Sequence, residues 1–297
     1  MSAGTDRTTW LYHEGEHAWY SVLPAVQSVD WFPYGQRLVI GYAFHPGQLS
    51  KSNQDALLIQ LTNCIYEDKL YNMSVFAIAD GMGGHDAGDL ASRTVLHHMF
   101  STLLPLLTLP AEAATGIAQQ IKDALTQAVL AANAQIHEIC QQRQLDLGTT
   151  LTVAVVTKGL AVVANAGDSR TYLFRAGQLK QITTDHSKVY QLVQDQQITP
   201  DDIYTHPERN VILRCLDGRS QLSVDTFDVK LEPDDRLLLC SDGLWEMVRN
   251  EGITRTLREI PEPQAACDAL VEQANAAGGE DNISVIIVTV LKQIAME

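Results

Sequence analysis

Three aspartates of this chain follow runs of apolar, strand-forming residues and precede a small residue. Ser74–Ala79 leads into Asp80-Gly81-Met82-Gly83-Gly84, Val162–Ala166 into Gly167-Asp168-Ser169, and Leu237–Cys240 into Ser241-Asp242-Gly243. A fourth, in Gly278-Gly279-Glu280-Asp281-Asn282, stands just before the apolar run Ile283–Leu291. A carboxylate at a strand end is aimed by the backbone and lies near solvent, and a glycine beside it lets a carbonyl approach a ligand. Several such carboxylates on one sheet edge repel each other unless cations neutralise them. An all-oxygen set suits Mg2+ or Mn2+ better than zinc. A single Asp-Gly is an ordinary turn; its repetition beside apolar runs is what marks a shared site.

Other chemistries fit less well. His13-Glu14-Gly15-Glu16-His17 has the spacing of a helical zinc-protease motif, but Gly15 at its centre disfavours the helix that motif needs. The chain has no Gly-Lys-Ser/Thr phosphate loop, no G-x-G-x-x-G, and no cysteine with arginine six positions later. Asp185-His186-Ser187 are adjacent in sequence, which seldom lets residues converge as a catalytic triad does.

The elements that must carry these aspartates follow from periodicity. Residues 1–50 hold nine aromatic residues, including Trp10, Trp19 and Trp31, and read as strands packing on a larger core. Helical spacing runs from Asp89 to about Leu104 and from Ala111 to Arg143, with Pro105 and Pro110 separating the two helices. Thr150–Thr157, Leu160–Asn165, Arg170–Phe174 and Leu179–Thr183 read as strands joined by turns too short for a parallel crossover, so they are antiparallel neighbours. Leu222–Val229, Arg236–Cys240 and Ile283–Leu291 add strands, and Pro263–Ala276 a helix. Antiparallel strands interleaved with long helices predict a layered α+β fold. Without an internal repeat or a Pro/Ser linker, a single domain over residues 1–297 is expected.

Composition narrows the function. The 297 residues include 21 basic and 36 acidic side chains, a formal charge of −15, which argues against a nucleic-acid partner. With 45% hydrophobic and 19% charged residues the chain is ordinary for a globular protein, and a chain of this length buries about 75% of its unfolded surface. Met1–Thr9 lack an apolar stretch and no later run is long enough to cross a membrane, so a cytoplasmic protein without membrane attachment is expected. Cys64, Cys140, Cys215, Cys240 and Cys267 are odd in number and scattered, which points to reduced thiols rather than disulfides or a zinc knuckle.

Taken in order, these motifs resemble the metal-dependent PP2C-type (PPM) serine/threonine protein phosphatases, in their bacterial branch. The resemblance spans about residues 47–291: GQLSKSNQD, FAIADGMGGHDAGDLAS, LGTTLTVAVV, NAGDSRTYLFR, TTDHS, THPERNVILRCLDG, LLLCSDGLW and GGEDNISVIIV. It implies a four-layer αββα sandwich of two antiparallel β-sheets, each flanked by an antiparallel helix pair. It also implies two Mn2+ or Mg2+ ions, with Asp80 bridging both, the Gly81 carbonyl on the second, and Asp242 and Asp281 on the first. Asp55 would orient the waters, and Asp168 with Asp242 would hold a third ion, as in bacterial relatives. The reaction implied is phosphomonoester hydrolysis by direct attack of hydroxide held between two cations about 4 Å apart, with no phosphoenzyme.

The same resemblance implies a phosphorylated protein as substrate, an opposing serine/threonine kinase and a monomer. It places a flap over the site at residues 187–216, where Arg209 and Arg214 read as packing residues, and lets residues 1–46 pack on or extend the sandwich. Three positions depart from relatives. Ser50 stands where bacterial members often carry a phosphate-contacting Arg, leaving Lys51 as the nearest substitute without the bidentate fork. Met82 stands where eukaryotic members place a proposed general-acid His, and His85, three residues on, is expected to serve the start of the following helix. Gln54 replaces a Glu, as other bacterial members do. Ser50 and Met82 motivate an alternative reading: a pseudophosphatase module that binds a phosphoprotein or kinase without turnover.

Overall fold

A computed structural model describes residues 10–13, 18–21, 37–50, 52–66, 69–83, 87–108, 116–219 and 221–291. The chain opens with strands β1 (Trp10–His13), β2 (Ala18–Ser21), β3 (Arg37–His45), β4 (Asp55–Tyr66) and β5 (Lys69–Gly83). Helices α1 (Ala87–Thr108) and α2 (Ile117–Arg143) follow, then β6 (Leu147–Thr149), β7 (Leu151–Thr157), β8 (Leu160–Ala166), β9 (Arg170–Arg175) and β10 (Gln178–Gln181). Helix α3 (Lys188–Gln194) and a short 3₁₀ turn (Pro200–Tyr204) lead to β11 (Asp225–Lys230) and β12 (Arg236–Cys240). Helices α4 (Asp242–Glu259) and α5 (Pro263–Ala276) precede the last strand, β13 (Ile283–Leu291).

One sheet has the order β1-β2-β4-β5-β7-β8-β11, with β6 also paired to β5; the other has the order β10-β9-β12-β13-β3. Helices α1 and α2 pack on each other and on the first sheet, and α4 and α5 do the same on the second. The result is the expected α+β sandwich of four layers, with one correction: β8 and β9, expected as antiparallel neighbours, lie in opposite sheets, because residues 167–169 carry the chain from one sheet to the other instead of folding it back as a hairpin.

Strand alternation explains the stacking. On β5, Val75, Ala77 and Ala79 join α1 and α2 residues such as Val95, Met99, Leu125 and Ile136, while Phe76 and Ile78 point to the other sheet. On β12, Leu238 and Cys240 pack under α4 and α5, and Leu237 and Leu239 meet Phe76, Ile78, Ile286 and Val288 between the sheets. Strands buried on both faces read as continuous apolar runs, as LTVAVVT and ISVIIVTVL do.

Several boundaries differ from the sequence reading, each for a local reason. Helix α1 continues through Pro105 to Thr108. Pro105 is exposed and sits in the last turn, where its missing N–H removes one bond close to a terminus that lacks partners in any case. Strand β5 does not end at Asp80 but runs to Gly83, because it passes from β7 to β6 in unchanged register. Strand β11 begins at Asp225, opposite Asn165, since its partner β8 turns away after Ala166. One strand pair is parallel: Ala18 and Trp19 of β2 lie beside Leu57 and Leu58 of β4. The long connection through β3 in the opposite sheet permits that direction. His13 pairs with Ala18 in the β1–β2 ladder, so a strand pair rather than a helix flanks Glu14–His17, which lie outside the described residues.

The inter-sheet layer is the part the rest cannot replace. Phe76→Ala, which empties its centre, is expected to lower the free energy of unfolding by about 3–5 kcal/mol. Urea unfolding followed by circular dichroism measures it, and a loss under about 1 kcal/mol would show that the layer is loosely packed.

Candidate metal centre

Asp55 opens β4 and lies directly across from Asp80 on β5. Its backbone N–H donates to Asn53 Oδ1 (3.0 Å), and Ser241 Oγ donates to its Oδ2 (2.8 Å). The other oxygen, Oδ1, is buried without a hydrogen-bond partner. Burial pushes this carboxyl up to about 7, and the charges of Asp242 and Asp281 push in the same direction.

Asp80 is held through its main chain. Its carbonyl accepts from Thr150 N–H and Thr149 Oγ1, both at 2.8 Å, and its N–H donates to Thr150 Oγ1 at 3.1 Å. These bonds leave the side chain to face other acids. Burial raises its pKa well above the carboxylate range, with Asp242, Asp55, Asp281 and Asp168 all adding to the rise. The five aspartates singled out in the sequence therefore share one electrostatic field. Gly81, next in line, donates its N–H to Gln54 O (3.2 Å), and a Cβ there would stand 2.1 Å from Gly88 O at the start of α1. Only glycine permits that approach.

Asp242 is not a simple turn residue. Ser241 is the N-cap of α4 and Asp242 its first helical residue, where a negative charge suits the helix terminus. The helix itself was not legible because SDGLWEMVRNEGITRTLRE lacks a clear apolar stripe and breaks at Arg249, whose φ is 58°. Asp242 comes within hydrogen-bond reach of Asp80; burial and then the charge of Asp281 lift its pKa to about 6. Its Oδ1 is buried without a partner.

Asp168 occupies the tight turn between β8 and β9 and is 2% exposed. Trp245 Nε1 of α4 donates to its carbonyl (3.0 Å), and its Oδ1 is also buried and unpartnered. Burial raises its pKa, followed by the charges of Asp242 and Asp185. Arg170 pulls the other way but is committed elsewhere: it forms a buried pair with Asp185 (2.5 Å) and lies 3.4 Å from the Trp245 ring centre.

Asp281 is fixed by its neighbour, whose role the sequence did not signal. Asn282 N–H donates to Asp281 Oδ1 (2.7 Å). The Asn282 side chain accepts from Gln54 N–H (2.6 Å) and donates to Pro46 O (2.9 Å) and Ser52 O (3.1 Å). One amide thus ties the Asp281 loop to the segment entering Asp55.

Among the remaining candidates, Ser50 spends its hydroxyl on Ser52 O (2.7 Å), within its own loop. Lys51 and His85 lie outside the described residues, and Met82 is half-buried. Over residues 187–216, Arg209 pairs with Glu280 (2.9 Å) and Glu246 (3.5 Å), and Arg214 with Asp225 (2.7 Å). Both arginines bridge elements rather than only packing. Tyr204 of the 3₁₀ turn meets Trp245 edge-on, with ring centres 6.3 Å apart.

Among the described residues, no three His, Cys, Asp or Glu side chains close on one point as a ready ligand group. The donor set fits a hard divalent cation: oxygen only, with buried acceptors that lack donors on Asp55, Asp168 and Asp242.

Comparison with known proteins agrees with this chemistry. A family model for protein phosphatase 2C matches residues 50–275. The serine/threonine phosphatase stp of Listeria welshimeri is 38% identical over 230 residues, covering 75% of this chain and 87% of that protein. Serine/threonine phosphatase Stp1 of Staphylococcus aureus superposes with a TM-score of 0.74 at 31% identity, covering 87% of this chain and 97% of the other. The catalytic domain of the phosphatase PstP, solved in complex with two manganese ions, gives a TM-score of 0.69 at 31% identity, covering 86% of this chain and 99% of the other.

The raised carboxyls make a prediction for the metal-free protein. The folded state keeps protons on Asp55 and Asp242 that the unfolded chain, with its ordinary value near 3.8, has already released. Their contribution is greatest below about pH 4 and is lost as pH rises through 6 to 7. Urea unfolding in the presence of chelator should show stability falling between pH 5 and pH 8, and falling less in Asp55→Asn. An identical pH slope in the variant would contradict the assignment.

Proposed function

Because the chain belongs to the protein phosphatase 2C family, we propose that Asp80, Asp242, Asp281 and the Gly81 carbonyl hold two Mn2+ or Mg2+ ions for hydrolysis of phosphoserine and phosphothreonine in proteins. One observation carries the assignment: Oδ1 of Asp55, Asp168 and Asp242, on separate elements, is in each case buried without a hydrogen-bond partner, and these carboxyls share one electrostatic field with Asp80, the cross-strand partner of Asp55, and with the exposed Asp281. A divalent pair at this place would supply Lewis acidity, lowering the pKa of water and neutralising phosphoryl oxygens.

The chain's own residues do the rest. Thr149 and Thr150 fix the Asp80 backbone so that its carboxylate stays aimed, and Ser241 orients Asp55 through Oδ2. That leaves Asp55 Oδ1 as the acceptor for a proton of the attacking water. Asp168, with Asp242, is assigned to a third ion. Residues 187–216 act as the flap that meets the phosphoprotein, and Lys51 with Ser50 supplies the weaker phosphate contact. On this reading residues 1–297 are one domain in which residues 1–46 pack on or extend the sandwich, working as a cytoplasmic monomer against a serine/threonine kinase. No helix among the described residues is long and apolar enough to cross a membrane.

The non-catalytic reading rested on Ser50 and Met82. Neither belongs to the carboxylate cluster, and the relatives are named as phosphatases.

The decisive assay is hydrolysis of an aryl phosphate and of a phosphothreonine peptide. Mn2+ is expected to stimulate both, chelator to abolish both, and Asp80→Asn to reduce turnover at least about a hundredfold while leaving circular dichroism unchanged. Chelator-resistant turnover, or full activity in the variant, would sink the dinuclear assignment.

A further inference from the structure

His186 is buried, lies outside the carboxylate cluster, and uses both ring nitrogens. Its Nδ1 accepts from Gly167 N–H (3.0 Å), and its own N–H donates to Gly167 O (3.0 Å). Both polar backbone atoms of the residue before Asp168 are therefore bonded to His186, and Asn165 Nδ2 donates to the same carbonyl at 3.2 Å. Gly167 needs that support. Its φ is +124°, and a Cβ there would meet Thr150 Cβ at 2.5 Å, so Gly167 has no side chain of its own to anchor it.

The other side of His186 belongs to the flap. Its carbonyl accepts from Leu213 N–H (2.7 Å), Lys188 N–H donates to Val211 O (2.8 Å), and Ser187 forms a bridge with Ile212. Since Nδ1 is an acceptor, the ring proton sits on Nε2, 3.2 Å from Asp225 Oδ2. Arg214, at the end of the flap's return limb, donates to Asp225 Oδ1 (2.7 Å) and stands 2.9 Å from Nε2. Asp225 thereby joins the imidazole to the arginine. With both nitrogens engaged, the ring offers no free atom for proton transfer to a substrate, which separates it from a catalytic role.

We propose that His186 is a positioning residue that locks the Gly167–Asp168 turn to the return limb of the flap, so that seating of residues 211–214 adds to the hold that Trp245 has on Asp168. The proposal rests on the reading of Asp168 as a cation ligand. It gives the flap a physical route to the metal site: movement of the limb pulls on Arg214 and the His186 carbonyl, and the turn loses two hydrogen bonds together.

Mn2+ titration of the full chain by calorimetry tests it, with amide exchange of residues 165–170 as a second readout. Asp168→Asn identifies the class of Mn2+ sites that depends on that carboxylate; unchanged binding there would sink the ligand reading and the proposal with it. His186→Leu keeps bulk without an acceptor and is expected to weaken that class by about tenfold. His186→Asn places an amide oxygen near the position of Nδ1, is expected to fold in either case, and should stay within about threefold of wild type. Arg214→Met cuts the flap side alone and should weaken the same class by about threefold while speeding exchange at 165–170. Wild-type Mn2+ affinity in His186→Leu, or equal weakening in the Leu and Asn variants, would overturn the positioning role. Wild-type behaviour of Arg214→Met in both readouts would overturn the link to the flap.

Discussion

The repulsion among buried carboxylates is the constraint that organises this molecule. Asp55, Asp80, Asp168 and Asp242 all have pKa values raised by burial, and Asp281 adds its charge to three of them. Left to relax, such groups would turn outward to water. The fold prevents this with neutral hydrogen bonds rather than with opposite charges. Thr149 and Thr150 hold Asp80 by its backbone, Ser241 holds Asp55, Asn282 holds Asp281 and Trp245 holds the Asp168 carbonyl. A lysine or arginine in those places would occupy the charge that a divalent ion is needed to supply.

Rigidity behind these donors comes from the apolar layers. The strands that deliver Asp55 and Asp80 are adjacent in one sheet, while those flanking Asp242 and Asp281, β12 and β13, are adjacent in the other. The two pairs meet because Phe76, Ile78, Leu237, Leu239 and Ile286 fill the space between the sheets. Core packing therefore sets distances among acids that no local sequence could fix.

The flap side follows a different logic. Arg209, Arg214 and Tyr204 tie residues 187–216 to α4, the Glu280 loop and β11 through exposed or half-buried contacts. Such pairs are individually weak. Segments attached this way open more readily than a core strand does, which suits the flap role proposed for these residues.

The sequence by itself determined the α+β class, the antiparallel hairpins β7–β8 and β9–β10, the extents of β12, α5 and β13, and the aspartates from which the proposed site is drawn, but not that β8 and β9 part into opposite sheets. Apolar periodicity and turn chemistry act over neighbouring residues, and repeated Asp-Gly and Asp-Ser motifs beside apolar runs carry their meaning locally. It did not show α4, whose sequence lacks a clear apolar stripe and breaks at Arg249, nor the continuation of α1 through Pro105. It gave no sign that Asn282 or His186 would be clamps. Their partners lie far off in sequence: Asn282 bonds to Pro46, Ser52 and Gln54, and His186 to Gly167 and Leu213. Which polar groups meet across such separations depends on how two sheets stack. Only the tertiary structure decides that, because the stacking is fixed by the summed burial of many apolar side chains and not by any one motif.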